Sequence, residues 1–164
     1  MKVLATLVLA VALTGCAARQ SSITNVPPGV TQAQVQAWDT AVANLHKITV
    51  ANSTLRQTVI SLHSTTDANG NAVFPNGAAY VATLTMIGKI AQTENAAATF
   101  LQGVPNSWPA STKAQIAAYM NDIAQTVQTL NTEGVTGITN TASQKQVNTL
   151  ISEITSSVTI ILAL

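Results

Sequence analysis

From Val35 onward the apolar residues recur at steps of three and four, the period of a buried stripe on a helix. Val35, Trp38, Val42, Leu45, Ile48, Leu55, Val59 and Leu62 follow it, with Asn52 filling one step. The pattern predicts a helix over about 32–64. Thr31 and Gln34 stand at capping-box spacing just before it, where each side chain satisfies a free backbone N–H of the first turn. Thr49 to Thr54 is rich in β-branched and backbone-competing residues, so a bend or a polar core contact is expected there. Asn52 is read as that contact, because a polar residue in a stripe can fix register at some cost in stability.

A second stripe, Tyr80, Leu84, Ile87, Ala91, Ala98 and Leu101, widened by Ile90 and Phe100, predicts a helix over about 78–102. Gly103 is placed to end it and Pro105 bars continuation. Ile116, Met120, Ile123, Val127 and Leu130 predict a third over 112–132, followed by Gly134. Val147, Leu150, Ile154, Val158 and Ile161 predict a fourth over 142–162. Thr112 with Gln115, and Thr141 with Gln144, repeat the Thr31–Gln34 spacing. Between the first two helices, Asn69-Gly70, Pro75 and Asn76-Gly77 are turn residues, with Val73-Phe74 expected to tuck against the helices as a lid. The expected fold is all-α, an antiparallel four-helix bundle in up-down-up-down order spanning residues 31–164.

The chain opens differently. Met1-Lys2 precedes an apolar run from Val3 to Leu13, and Thr14-Gly15-Cys16 follows. About eleven apolar residues make roughly 16 Å of helix, against roughly 30 Å of hydrocarbon to be crossed. That is too short for a span and suits a secretory signal. Leu13-Thr14-Gly15-Cys16 resembles the bacterial lipobox, the motif read by lipoprotein signal peptidase. The resemblance covers the leader alone. It implies recognition through Leu13, Thr14 and Gly15, diacylglyceryl transfer to the Cys16 sulfur, and cleavage before Cys16. Acylation of the new amino group, commonly by palmitate, often follows. Two or three acyl chains anchor stably where one would not. The implied place is the outward or periplasmic side of a bacterial membrane, with the outer membrane favoured by Ala17 if the host has two. Residues 1–15 are then a signal helix and 16–30 a lipidated tether, in which Pro27-Pro28-Gly29 is expected to be extended.

Composition narrows the function classes. Charged residues make up 8% of the chain, against about 25% in a typical domain, so the polar surface must come from Thr, Ser, Asn and Gln. The formal net charge is +1, and Arg19, Lys47, Arg56, Lys89, Lys113 and Lys145 are scattered singly. Nothing there grips a polyanion, so no nucleic-acid partner is expected.

Candidate chemistry is sparse. His46 and His63 lie about 25 Å apart on one straight helix, too far for one metal. The EF-hand needs Gly at position six and Glu at position twelve; counted from Asp67 these are Ala72 and Ala78, so Asp67-Ala68-Asn69-Gly70-Asn71 is read as a turn. No nucleophile elbow or phosphate loop is present. Glu94 falls inside the second stripe. We expect it at the stripe's edge with its head in water or paired with a Lys; the alternative is a buried acid with a raised pKa. Trp38 and Trp108 are expected as core and loop anchors. The apolar end Val158 to Leu164 reads as a buried closing turn, or else as a partner-binding or membrane-dipping end.

The expected function is a lipid-anchored cell-envelope protein acting by protein–protein contact, with an unidentified protein partner, no catalysis, no metal and no cofactor. The alternatives are a carrier of a small apolar ligand within the bundle, for which an enclosed cavity above about 300 Å³ would speak, and a phage- or prophage-encoded lipoprotein acting in exclusion or lysis. An enzyme would need a cleft with convergent polar groups, Glu94 or a His among them.

Overall fold

A computed structural model describes residues 26–75 and 77–164; the leader, Cys16, most of the expected tether and Asn76 lie outside the described residues. The fold is all-helical, with α1 Gln32–Ser64, α2 Ala78–Gly103, α3 Ala110–Thr129 and α4 Thr141–Leu162. Among the described residues there are no strands, only an isolated bridge between Thr66 and Ala72.

The helices pack in a cycle: α1 against α2, α2 against α3, α3 against α4 and α4 back against α1. One apolar core runs through them, with Ile48, Leu55, Ile87, Ile90, Ile116, Met120, Ile123 and Ile154 fully buried. Cross-contacts fix how α1 lies along α2. Trp38 Nε1 donates to the Leu101 carbonyl at 3.3 Å, and Asn52 Nδ2 to the Ile87 carbonyl at 3.2 Å. His63 stacks on Tyr80 at 4.3 Å. As the α1 position advances, the α2 position retreats.

The stripes are right in kind and turned in detail. On α1, Ala41 is buried and Val42 is 36% exposed, because the α1 face is centred on Ala41, Leu45 and Ile48. On α2 the buried line runs through Thr83, Met86, Ile87, Ile90, Glu94, Ala97 and Leu101, leaving Leu84, Ala91, Ala98 and Phe100 half-buried on its flanks. α2 is packed by both α1 and α3, so its buried face bisects the two contacts instead of facing one.

Of the three expected capping boxes, one forms. Gln34 N donates to Thr31 Oγ1 at 3.2 Å and Thr31 N to Gln34 Oε1 at 2.9 Å. α3 begins after Pro109, two residues ahead of Thr112, which is buried inside the first turn. Proline presets the φ that helix entry needs, and the buried Trp108 pins the preceding residue. α4 is capped by Asn140, whose Oδ1 accepts from Ser143 N at 3.0 Å. Asn outranks Thr at this position. Gln144 instead donates to the Ile138 carbonyl.

α3 ends at Thr129, short of Gly134. It passes into a π-turn, Leu130–Gly134, and then a 3-10 turn, Val135–Gly137. Thr83 Oγ1 lies 2.8 Å from the Gly134 carbonyl and 2.7 Å from that of Ala79, with one proton to share. Gly134 permits this approach, because a Cβ there would stand 2.7 Å from Thr83 Oγ1 and 2.8 Å from Leu130 Cδ1. Gly103 is the last residue of α2, as expected, and the positive φ comes three residues later, at Asn106.

The expected lid is present. Phe74 is fully buried, and a Cβ on Gly137 would meet its ring at 2.7 Å. Phe74 N donates to the Leu62 carbonyl and Thr139 N to the Val73 carbonyl, tying the α1–α2 connection to the α3–α4 connection. Pro27-Pro28-Gly29-Val30 is a tight turn, not an extended spacer. Val30 N donates to the Pro27 carbonyl at 3.1 Å and Gly29 takes φ +82, the left-handed value a type II turn needs.

Gly134→Ala is expected to lower stability by about 1–3 kcal/mol, since the added methyl must displace a stiff, buried threonine. A drop in urea midpoint at unchanged slope would register it.

Candidate functional site

Between α1 and α2 lies a groove of about 240 Å³, open to solvent on one side. Thr49, Asn52, Ser53 and Arg56 line it from α1; Ile87, Gly88, Ala91 and Glu94 line it from α2. Its volume comes from what α2 lacks. A Cβ built on Gly88 would meet nothing within 4 Å, and Ala91 contributes a single methyl.

Two polar side chains in this wall are buried. Asn52 is 3% exposed and Glu94 8%. Asn52 Nδ2 gives one N–H to the Ile87 carbonyl, an obligate acceptor, so its orientation is settled and Oδ1 is turned away. Asn52 Oδ1 and Glu94 Oε2 both have no hydrogen-bond partner. A buried acceptor without a donor costs about 1–3 kcal/mol, and two line the same groove.

Glu94 is thus not at the stripe's edge with its head in water. Burial pushes its carboxyl from an ordinary 4.5 up to about 7, and no neighbouring charge offsets it. Sequence periodicity places Glu94 in the stripe; it does not say that both α1 and α3 flank that part of α2 closely enough to exclude water.

The other candidates stay apart. His46 is exposed midway along α1. His63 belongs to the lid: Nδ1 lies 3.0 Å from the Phe74 carbonyl and so carries the proton, while Tyr80 covers the ring face and meets Phe74 edge-on. Asp39 is half-buried, and Asp122, Glu133 and Glu153 are exposed. Asp67 turns the lid loop, its Oδ1 accepting from Asn69 N at 2.8 Å and Asn71 N at 2.9 Å. Those bonds hold its carboxyl below the usual range. Among the described residues no cluster of three His, Cys, Asp or Glu could hold a metal ion. Trp38 anchors α1 to the end of α2; Trp108 is buried with its Nε1 unpaired.

No family model, curated protein or solved structure matches the chain.

A second concavity of about 280 Å³ lies between α3 and α4, walled by Ala124, Val127, Ile151, Val158 and Leu162. It takes part of the apolar C-terminal run. Val158 and Ile161 are buried, while Ile160 is 43% exposed, so the run is not uniformly enclosed.

The folded state keeps the Glu94 proton that the unfolded chain gives up above pH 4.5. This contribution is complete below pH 4.5, declines as pH rises toward 7, and is level beyond. Allowing for water at the open side, the decline should be roughly 1–2 kcal/mol and should vanish in Glu94→Gln, as urea melts at pH 4.5 and 8 would record. Gly88→Ala should raise stability by about 0.5–1 kcal/mol, measured as a higher melting temperature, because the methyl enters open space and stiffens the helix.

Proposed function

We propose that this protein is a lipid-anchored helical module of the bacterial cell envelope, working by contact with another protein and not by catalysis. The observation that carries the reading is Leu13-Thr14-Gly15-Cys16 closing a short apolar run behind Met1-Lys2. The acyl chains on Cys16 hold the chain at the membrane, on the outer membrane in a host with two, and the helices stand beyond it. Among the described residues no helix is long and apolar enough to cross a bilayer.

The helices form an antiparallel up-down-up-down bundle in this reading. Support comes from the cyclic packing and from the opposed order of the α1–α2 contacts. Contact is favoured over carriage of an apolar ligand by the concavities: at about 280 and 240 Å³ both are open-sided, and both fall below the roughly 300 Å³ at which drug-sized pockets begin.

Intact-mass analysis of protein from its native host should show residues 1–15 missing and diacylglyceryl mass added. Cys16→Ser should lose that mass and leave the lipid-dependent membrane fraction. Retention of Met1 on the isolated protein, or a cut chain without lipid, would overturn the reading.

A further inference from the structure

Helical side chains lean toward their own N-terminus. On two helices whose contacts run in opposite order, Asn52 of α1 and Glu94 of α2 therefore lean toward each other. Thr49 and Ala91 lie one turn on from each, between them. Thr49 Oγ1 gives its proton to the Leu45 carbonyl at 3.1 Å, so it too offers only lone pairs to the groove. Three acceptors, Asn52 Oδ1, Glu94 Oε2 and Thr49 Oγ1, thus border one small space. The first two are buried and without donors. Beside them Ile87, Gly88 and Ala91 make an apolar floor.

From this juxtaposition we infer that the α1–α2 groove binds a small primary ammonium carrying a short apolar tail. An ammonium has three N–H donors and no acceptor, matching the three acceptors Asn52 Oδ1, Glu94 Oε2 and Thr49 Oγ1; the donor-bearing side chains of Ser53 and Arg56 on the same groove are exposed. Its charge complements the Glu94 carboxylate, and charge-assisted hydrogen bonds are about twice as strong as neutral ones. The tail takes the floor that Gly88 leaves open, and about 240 Å³ admits a chain of a few carbons. Arg56 is the other charged group on the groove. It is exposed, one turn beyond Asn52 on the side away from Glu94, where solvent screens it. A quaternary ammonium has no N–H and a metal ion would want more carboxylates, so neither satisfies the two orphaned oxygens.

The inference does not depend on the lipid anchor, and its test is read at the groove alone. The full chain in dodecylmaltoside is titrated at pH 8 with butylammonium chloride, and separately with tetramethylammonium chloride at equal ionic strength, following backbone amide resonances. Saturable shifts at Ile87, Gly88 and Ala91 with butylammonium alone are expected. Glu94→Gln should weaken binding about tenfold or more. Gly88→Leu, which fills the floor and leaves the three acceptors in place, should abolish it while the thermal melt stays cooperative. Equal shifts with both salts, no saturable shift, or undiminished binding by Glu94→Gln would overturn the assignment.

Discussion

The bond from Asn52 to the Ile87 carbonyl constrains how everything else in the molecule is placed. A buried amide is tolerated only where it finds a partner, and Asn52 finds one at a single register of α1 against α2. That register brings Trp38 to the Leu101 carbonyl at one end and His63 onto Tyr80 at the other. At the second end it seats Phe74 over the core, and Val73 then receives Thr139 from the far connection. Sliding α1 by one turn would leave the Asn52 amide bare, unseat an indole N–H and unstack the lid.

The chain solves the problem of a nearly uncharged surface by backbone bonding. Thr40, Thr54, Thr85, Thr126, Thr149 and Thr159 each donate to the carbonyl four residues earlier. A hydroxyl so occupied shows solvent its methyl group and two lone pairs, not a free donor. The surface is polar enough to stay wet and weak in long-range field, which suits recognition by shape and short-range contact over electrostatic capture. Thr83 applies the same chemistry inside the core, where its hydroxyl also reaches the Gly134 carbonyl and holds the π-turn against α2.

The α1–α2 groove departs from this economy. Gly88 in a helix interior, Glu94 with a buried carboxyl, and Asn52 Oδ1 without a donor each weaken the fold, and all three border one space. Two other buried polar atoms lack partners, Asn44 Oδ1 and Trp108 Nε1, but each lies away from this groove. Where several such rules are broken together, stability has been given up for something else, and binding is the economical reading.

The four helices, their lengths to within a few residues, the lid and the place of Asn52 were legible along the chain, because a period of 3.6 and a turn residue are local properties. The motif proposed to carry the anchor, Leu13-Thr14-Gly15-Cys16, is likewise a linear pattern and lies outside the described residues. Tertiary structure decided the rest. Whether Glu94 meets water depends on α1 and α3 flanking α2 closely, and whether Val42 is covered depends on the angle at which neighbours meet α1. Thr112 and Thr141 have the spacing of caps, but Pro109 and Asn140 compete for those roles and win on local sterics and bonding. The π-turn at Leu130–Gly134 is met by a threonine on another helix, Thr83, which bonds the Gly134 carbonyl. Periodicity says that a face is buried; only packing, which sums contacts from distant parts of the chain, says against what and with how much room left over.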